Sequence, residues 1–90
     1  MSVKVKIPSL LKKYADGQEL LEVEGYNLIE CAQSVVMQLP GLKRWLYDKQ
    51  GELRPQVWFF VNGERIYDDE FTKSLKDGDE LFFLLAGGGG

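Results

Sequence analysis

Histidine is absent from this sequence, and cysteine occurs once, at Cys31. The first absence removes the commonest general base and the commonest metal ligand. The second excludes an internal disulfide and a multi-cysteine zinc site. No run approaches the roughly 20 apolar residues needed to cross a bilayer. The opening residues, Met1 to Leu11, alternate Val3, Val5 and Ile7 with Lys4 and Lys6 instead of forming the apolar stretch of a signal peptide. Basic residues are outnumbered, 11 against 14 acidic, for a net charge of -3. A nucleic-acid binder needs a basic face to neutralise phosphates, so that partner class is not expected. The reading from these absences is a soluble, cytoplasmic protein that works neither on nucleic acid nor in a membrane.

Hydrophobic residues make up 44% of the 90 and charged residues 28%, which suits one small folded domain. The segment from Val3 to Ile7 alternates apolar and charged side chains and predicts a strand with one buried face. Asp16-Gly17 marks a turn, and Glu19 to Glu24 repeats the alternation, with Leu21 and Val23 on one face. Asn27 is placed to cap a helix, and Glu30, three residues on, completes the pattern of a capping box. Leu28, Ala32, Val35, Val36 and Leu39 recur at helical spacing, and Pro40-Gly41 ends the run. Leu42 to Tyr47 predicts a short further turn of helix, followed by a loop over Asp48 to Gly51. Val57 to Val61 is a strand; Asn62-Gly63 is a two-residue hairpin signal; Arg65 to Tyr67 is the return strand. Asp77-Gly78-Asp79 turns the chain into a last strand, Leu81 to Leu85.

One helix packed on one face of a mixed sheet is the α+β, β-grasp (ubiquitin-like) arrangement. The domain expectation is residues 1–86 for this unit and 87–90 for a glycine tail. Glycine has no Cβ, so such a tail passes where other residues would clash. Four extended glycines span at most about 13–14 Å.

Read together, the element order, Phe60-Val61-Asn62-Gly63, Leu75-Lys76-Asp77-Gly78-Asp79-Glu80-Leu81 and the closing Gly89-Gly90 resemble the ThiS/MoaD family of ubiquitin-like sulfur-carrier proteins. The middle segment, from Pro40-Gly41-Leu42 through Gly51-Glu52-Leu53-Arg54-Pro55, looks like the larger MoaD/CysO-like members. The resemblance implies a carrier that is a co-substrate and not an enzyme. A partner activating enzyme would adenylate the carboxylate of Gly90, using ATP and magnesium that this chain does not bind. A sulfur nucleophile would then leave a thiocarboxylate for a sulfur-acceptor synthase, either a molybdopterin synthase large subunit or a cysteine synthase-like enzyme. It assigns the chemistry to Gly90 with Gly89, and leaves Gly87 and Gly88 as spacer on the partner-binding path. The family's register turns Leu81, Phe83, Val57, Phe59 and Val61 toward the helix. Trp58, Phe60, Phe82 and Leu84 would then form an exposed apolar partner-binding patch. The same tail also suits a ubiquitin-like modifier joined to lysines. A plain interaction domain with incidental glycines is a third reading.

The remaining candidates carry less. Cys31 sits beside the apolar stripe and reads as a small buried residue without a histidine or second cysteine to activate it. Asp68-Asp69-Glu70 reads as a solvated loop and not a metal site. Arg54 and Arg65 do not make a phosphate site, and the terminal glycines lack the following helix of a phosphate loop.

Overall fold

The computed structural model describes residues 2–86. The tail positions singled out above, Gly87, Gly88, Gly89 and Gly90, lie outside the described residues, so the expected tail boundary does too. Five strands, β1 (Ser2–Lys6), β2 (Leu20–Glu24), β3 (Val57–Val61), β4 (Glu64–Ile66) and β5 (Glu80–Leu85), form one sheet in the order β2-β1-β5-β3-β4. β1 and β5 run parallel, and the other neighbours are antiparallel. The parallel pair sits at the centre, so the first and last strands of the chain hydrogen-bond to each other. Two helices, α1 (Leu28–Gln38) and α2 (Lys43–Leu46), follow β2. Neither is long and apolar enough to cross a membrane.

The alternation in the strands explains the core. Val3, Val5, Leu21, Val23, Val57, Phe59, Leu81 and Phe83 all point to one sheet face and are buried there with Leu28, Cys31 and Val35 of α1. Phe59 stands edge-on to Phe71, with ring centroids 5.5 Å apart, and lies 6.2 Å from Phe83. Aromatic pairs at such separations favour tilted or edge contacts over a face-to-face sandwich. Leu42 and Leu46, from the segment after α1, also enter this core.

Asn27 caps α1 as expected, its side chain accepting from the Glu30 backbone N–H at 2.9 Å. Glu30 reaches one residue further back than a capping box requires and accepts from the Tyr26 N–H at 2.8 Å. The strands fall within a residue of their expected bounds, β1 and β4 each starting and ending one residue earlier. Three 3-10 turns, Ser9–Tyr14, Pro40–Leu42 and Asp68–Glu70, add to the expected elements. The last holds the acidic triplet at the surface, with none of its residues buried. Asp68 and Asp69 are exposed, but Glu70 is half-buried and its carboxylate accepts from the Tyr67 N–H at 3.0 Å. Gly41 is required by packing: a Cβ there would come within 2.5 Å of the Tyr14 carbonyl oxygen.

Candidate functional site

The last strand holds the candidate site in place, and its two ends are built differently. Before it, Asn62-Gly63 turns β3 into β4 with φ of 51° and 87°, the left-handed geometry that asparagine and glycine tolerate. The Asn62 side chain donates to Asp79 at 3.0 Å and accepts from the Glu80 N–H at 3.0 Å. The Asp79 carboxylate also accepts from the Lys76 N–H at 2.8 Å. These bonds, first that from the Lys76 backbone and then that from Asn62, hold the Asp79 carboxyl below the usual carboxylate range. Ser2 adds a further tie, donating its N–H to Asp77 at 2.9 Å. The two motifs separated by a dozen residues, Phe60 to Gly63 and Leu75 to Leu81, are thus one spatial unit. It clamps the start of β5.

From that clamp β5 pairs with β3 in the register Val61↔Leu81, Phe60↔Phe82, Phe59↔Phe83, Trp58↔Leu84 and Val57↔Leu85. The ladder continues one step past the strand, where the Ala86 N–H donates to the Gln56 carbonyl at 2.7 Å. Ala86 therefore lies beside Gln56, at the end of the sheet opposite the Asn62 turn.

The outer sheet face carries Trp58, Phe60, Phe82 and Leu84, as the register predicted, but the apolar patch is smaller than a fully exposed one. Trp58 is 37% exposed, whereas Phe60, Phe82 and Leu84 are half-buried. The cross-strand neighbours shield each other, Phe60 and Phe82 with ring centroids 6.0 Å apart. The Arg65 guanidinium covers part of the rest, 3.7 Å from the centre of the Trp58 ring and 4.5 Å from that of Tyr67. Its Nε is buried without a hydrogen-bond partner among the described residues. Leu20, 60% exposed, extends the face through the row Leu20, Lys6, Phe82 and Phe60. Sequence reasoning did not include Leu20 or Arg65 in this face. The signal was available in the alternation, because both fall on the outward parity of their strands.

Beside Ala86 the chain forms a groove of about 1060 Å³. Its lining includes Lys43, Arg44, Trp45, Lys49, Arg54 and Leu85. Cys31, by contrast, is fully buried, and burial foremost pushes its thiol up to about 11. A thiol so placed stays protonated and inert at neutral pH.

No protein-family model matches the chain. The sulfur carrier protein CysO of Mycobacterium tuberculosis is 28% identical over 93 residues, covering all of both chains. The small archaeal modifier protein 1 of Methanosarcina acetivorans has a TM-score of 0.86 at 29% identity, with 99% of this chain and 96% of that one covered. CysO in the Amycolatopsis orientalis BexX/CysO complex has a TM-score of 0.81 at 29% identity, over 98% of this chain and 99% of that one. With the sheet order above, these define the chain as a ubiquitin-like β-grasp protein. Its homologues include CysO sulfur carriers, which is consistent with the ThiS/MoaD family of ubiquitin-like sulfur carriers.

Proposed function

We propose that this chain carries sulfur on the carboxyl group of Gly90. In the first step a carboxylate oxygen attacks the α-phosphorus of ATP on a partner activating enzyme, and pyrophosphate leaves. In the second, hydrosulfide attacks the acyl carbon, AMP leaves, and a thiocarboxylate remains. An α-carboxyl has an ordinary pKa of about 3.3–3.7 and is ionised at neutral pH, ready for the first step. The chain supplies a co-substrate; the catalytic groups belong to the partner.

One observation carries this reading. The strand that delivers the terminus is clamped at its start and hydrogen-bonded to Gln56 at its last step, and the four residues after Ala86 are all glycine. A fixed launching point followed by backbone without side chains suits delivery into a narrow reaction chamber. Similarity to the mycobacterial sulfur carrier along the whole of both chains supports the carrier reading. The outer face of Trp58, Phe60, Phe82 and Leu84 is the proposed docking surface for the partner, with Gly87 and Gly88 as its spacer. The acceptor would be a cysteine synthase-like enzyme or a molybdopterin synthase large subunit. The BexX/CysO complex is one case of a similar carrier held by a partner protein.

The test is incubation with an activating enzyme of this family, ATP, magnesium and sulfide, read by intact mass. The expected product gains the mass difference between sulfur and oxygen, and deletion of Gly90 abolishes the gain. The similarity to a small archaeal modifier favours a second use of the same tail, isopeptide linkage to lysines. Higher-mass conjugates that vanish on Gly90 deletion would identify it.

A further inference from the structure

The groove beside Ala86 is a concentration of positive charge on a negatively charged protein. Lys43, Arg44, Lys49 and Arg54 line it against a single carboxylate, Asp48, although the chain as a whole carries -3. The Asp48 carboxylate is turned to its own loop, accepting from the Gln50 and Glu52 N–H groups at 2.9 and 3.0 Å. Among the described residues none of the four cations stands in an ion pair. Two are nonetheless placed. The Arg54 Nε donates to the Arg44 carbonyl at 2.9 Å, and the Arg44 guanidinium lies 5.3 Å from the centre of the Trp45 ring. Trp45 is itself packed on Tyr14, with centroids 5.1 Å apart, and its buried indole N–H lacks an acceptor among the described residues. Unpaired, oriented guanidinium groups and a spare donor around one concavity form a receptor for carboxylates.

We infer that this groove docks an acidic segment of the protein that receives the tail. The inference rests on the carrier reading for its biological setting, because Leu85 and Ala86 form one wall of the groove and the tail begins there. Charge complementarity selects the occupant. Tyr47 separates the groove from a second recess lined by Glu52 and Asp68. A long polyanion such as a nucleic acid would run onto those carboxylates, whereas a short run of aspartate and glutamate side chains would end within the basic stretch. A basic site at the tail's root also steers an acidic partner into register before the tail enters it.

The test uses the full-length, isotope-labelled chain titrated with a blocked hexaglutamate peptide and followed by amide chemical shifts. Perturbations are expected at Lys43, Arg44, Lys49, Arg54 and Ala86 and at the Trp45 indole, weakening with added salt. The double change Lys43→Glu with Arg44→Glu should weaken binding by roughly tenfold or more, a loss that Coulomb repulsion of like charges readily produces. Lys4→Glu with Lys6→Glu, the same change in net charge on the outer sheet face, should leave it unaltered. The neutral Arg44→Gln gives a smaller loss and guards against misfolding of the double variant. Equal weakening by both double variants, shifts confined to the Lys4 and Lys6 face, or tighter binding of inorganic phosphate or an oligothymidylate would each overturn the inference. The titration does not use the tail's chemistry. Its failure leaves the thiocarboxylate reading standing, and absent thiocarboxylation with intact peptide binding counts against that reading alone.

Discussion

The two ends of the β3–β5 ladder contrast in how their polar groups are satisfied. At the Asn62 end every named group answers another: amide to carboxylate, backbone N–H to side-chain oxygen, carboxylate to backbone. At the Gln56 end one backbone bond closes the ladder, and the surrounding cations face a groove without ion-pair partners among the described residues. A satisfied cluster gains rigidity from its internal bonds, whereas an unsatisfied one keeps its interaction energy for an external group. Internal bonding is thus concentrated before the last strand, and cations open to an external partner lie beside its end.

The sharpest way to break this contrast lies in the core that both ends share. Phe59→Ala should cost about 3–5 kcal/mol in urea unfolding, since the ring is buried between Phe71 and Phe83. Phe60→Ala, half-buried on the outer face, should cost only about 1 kcal/mol. Near-equal losses would mean that the two faces are not functionally divided. Gly41→Ala comes next, at about 1–3 kcal/mol by thermal melting, because its Cβ would collide with the Tyr14 carbonyl. That change also reports on the groove, whose lining includes Gly41.

Asn62→Ala should cost about 1–2 kcal/mol, as it removes both side-chain bonds to Asp79 and Glu80. Asp79 tests the same clamp through pH. Its folded pKa lies below the unfolded value, so its contribution is present above the unfolded pKa and is lost as pH falls through the folded one. The stability gap between the native chain and Asp79→Asn should therefore be open at neutral pH and close below about pH 4. The carboxylate's partial exposure keeps that gap at about 1 kcal/mol or less. The smallest effect belongs to the other end: Arg44→Gln should change stability by no more than about 0.5 kcal/mol, measured by urea midpoint, while weakening acidic-peptide binding.

Much of the fold was legible in the sequence because its signals are local. Alternation at Val3–Ile7 and Val57–Val61, the Asn27 cap and the Asn62-Gly63 turn each involve neighbours along the chain. Parity put Trp58 and Phe59 on opposite sheet faces, and the family's register said which of them turns inward. What was not legible depends on tertiary closure. Ser9–Tyr14 lacks a clean period, so its 3-10 turn was missed. Glu30 chose Tyr26 over Asn27 because the chain bends before the helix. The half-burial of Phe60 and Phe82 came from cross-strand shielding, and Arg65 reached Trp58 only through the β3–β4 pairing. Lys43, Arg44, Lys49 and Arg54 are spread over a dozen residues and become one groove only when the Pro40–Leu42 turn folds α2 back toward Gln56 and Ala86. The resemblance located the tail, whose residues lie outside those described here.

The most direct measurement of the central claim is the intact mass of the full-length chain after reaction with an activating enzyme of this family, ATP, magnesium and sulfide. Replacement of one oxygen by one sulfur at Gly90, located by fragmenting the C-terminal peptide, is the predicted result. An unchanged mass under conditions in which the same enzyme thiocarboxylates its own carrier would contradict it.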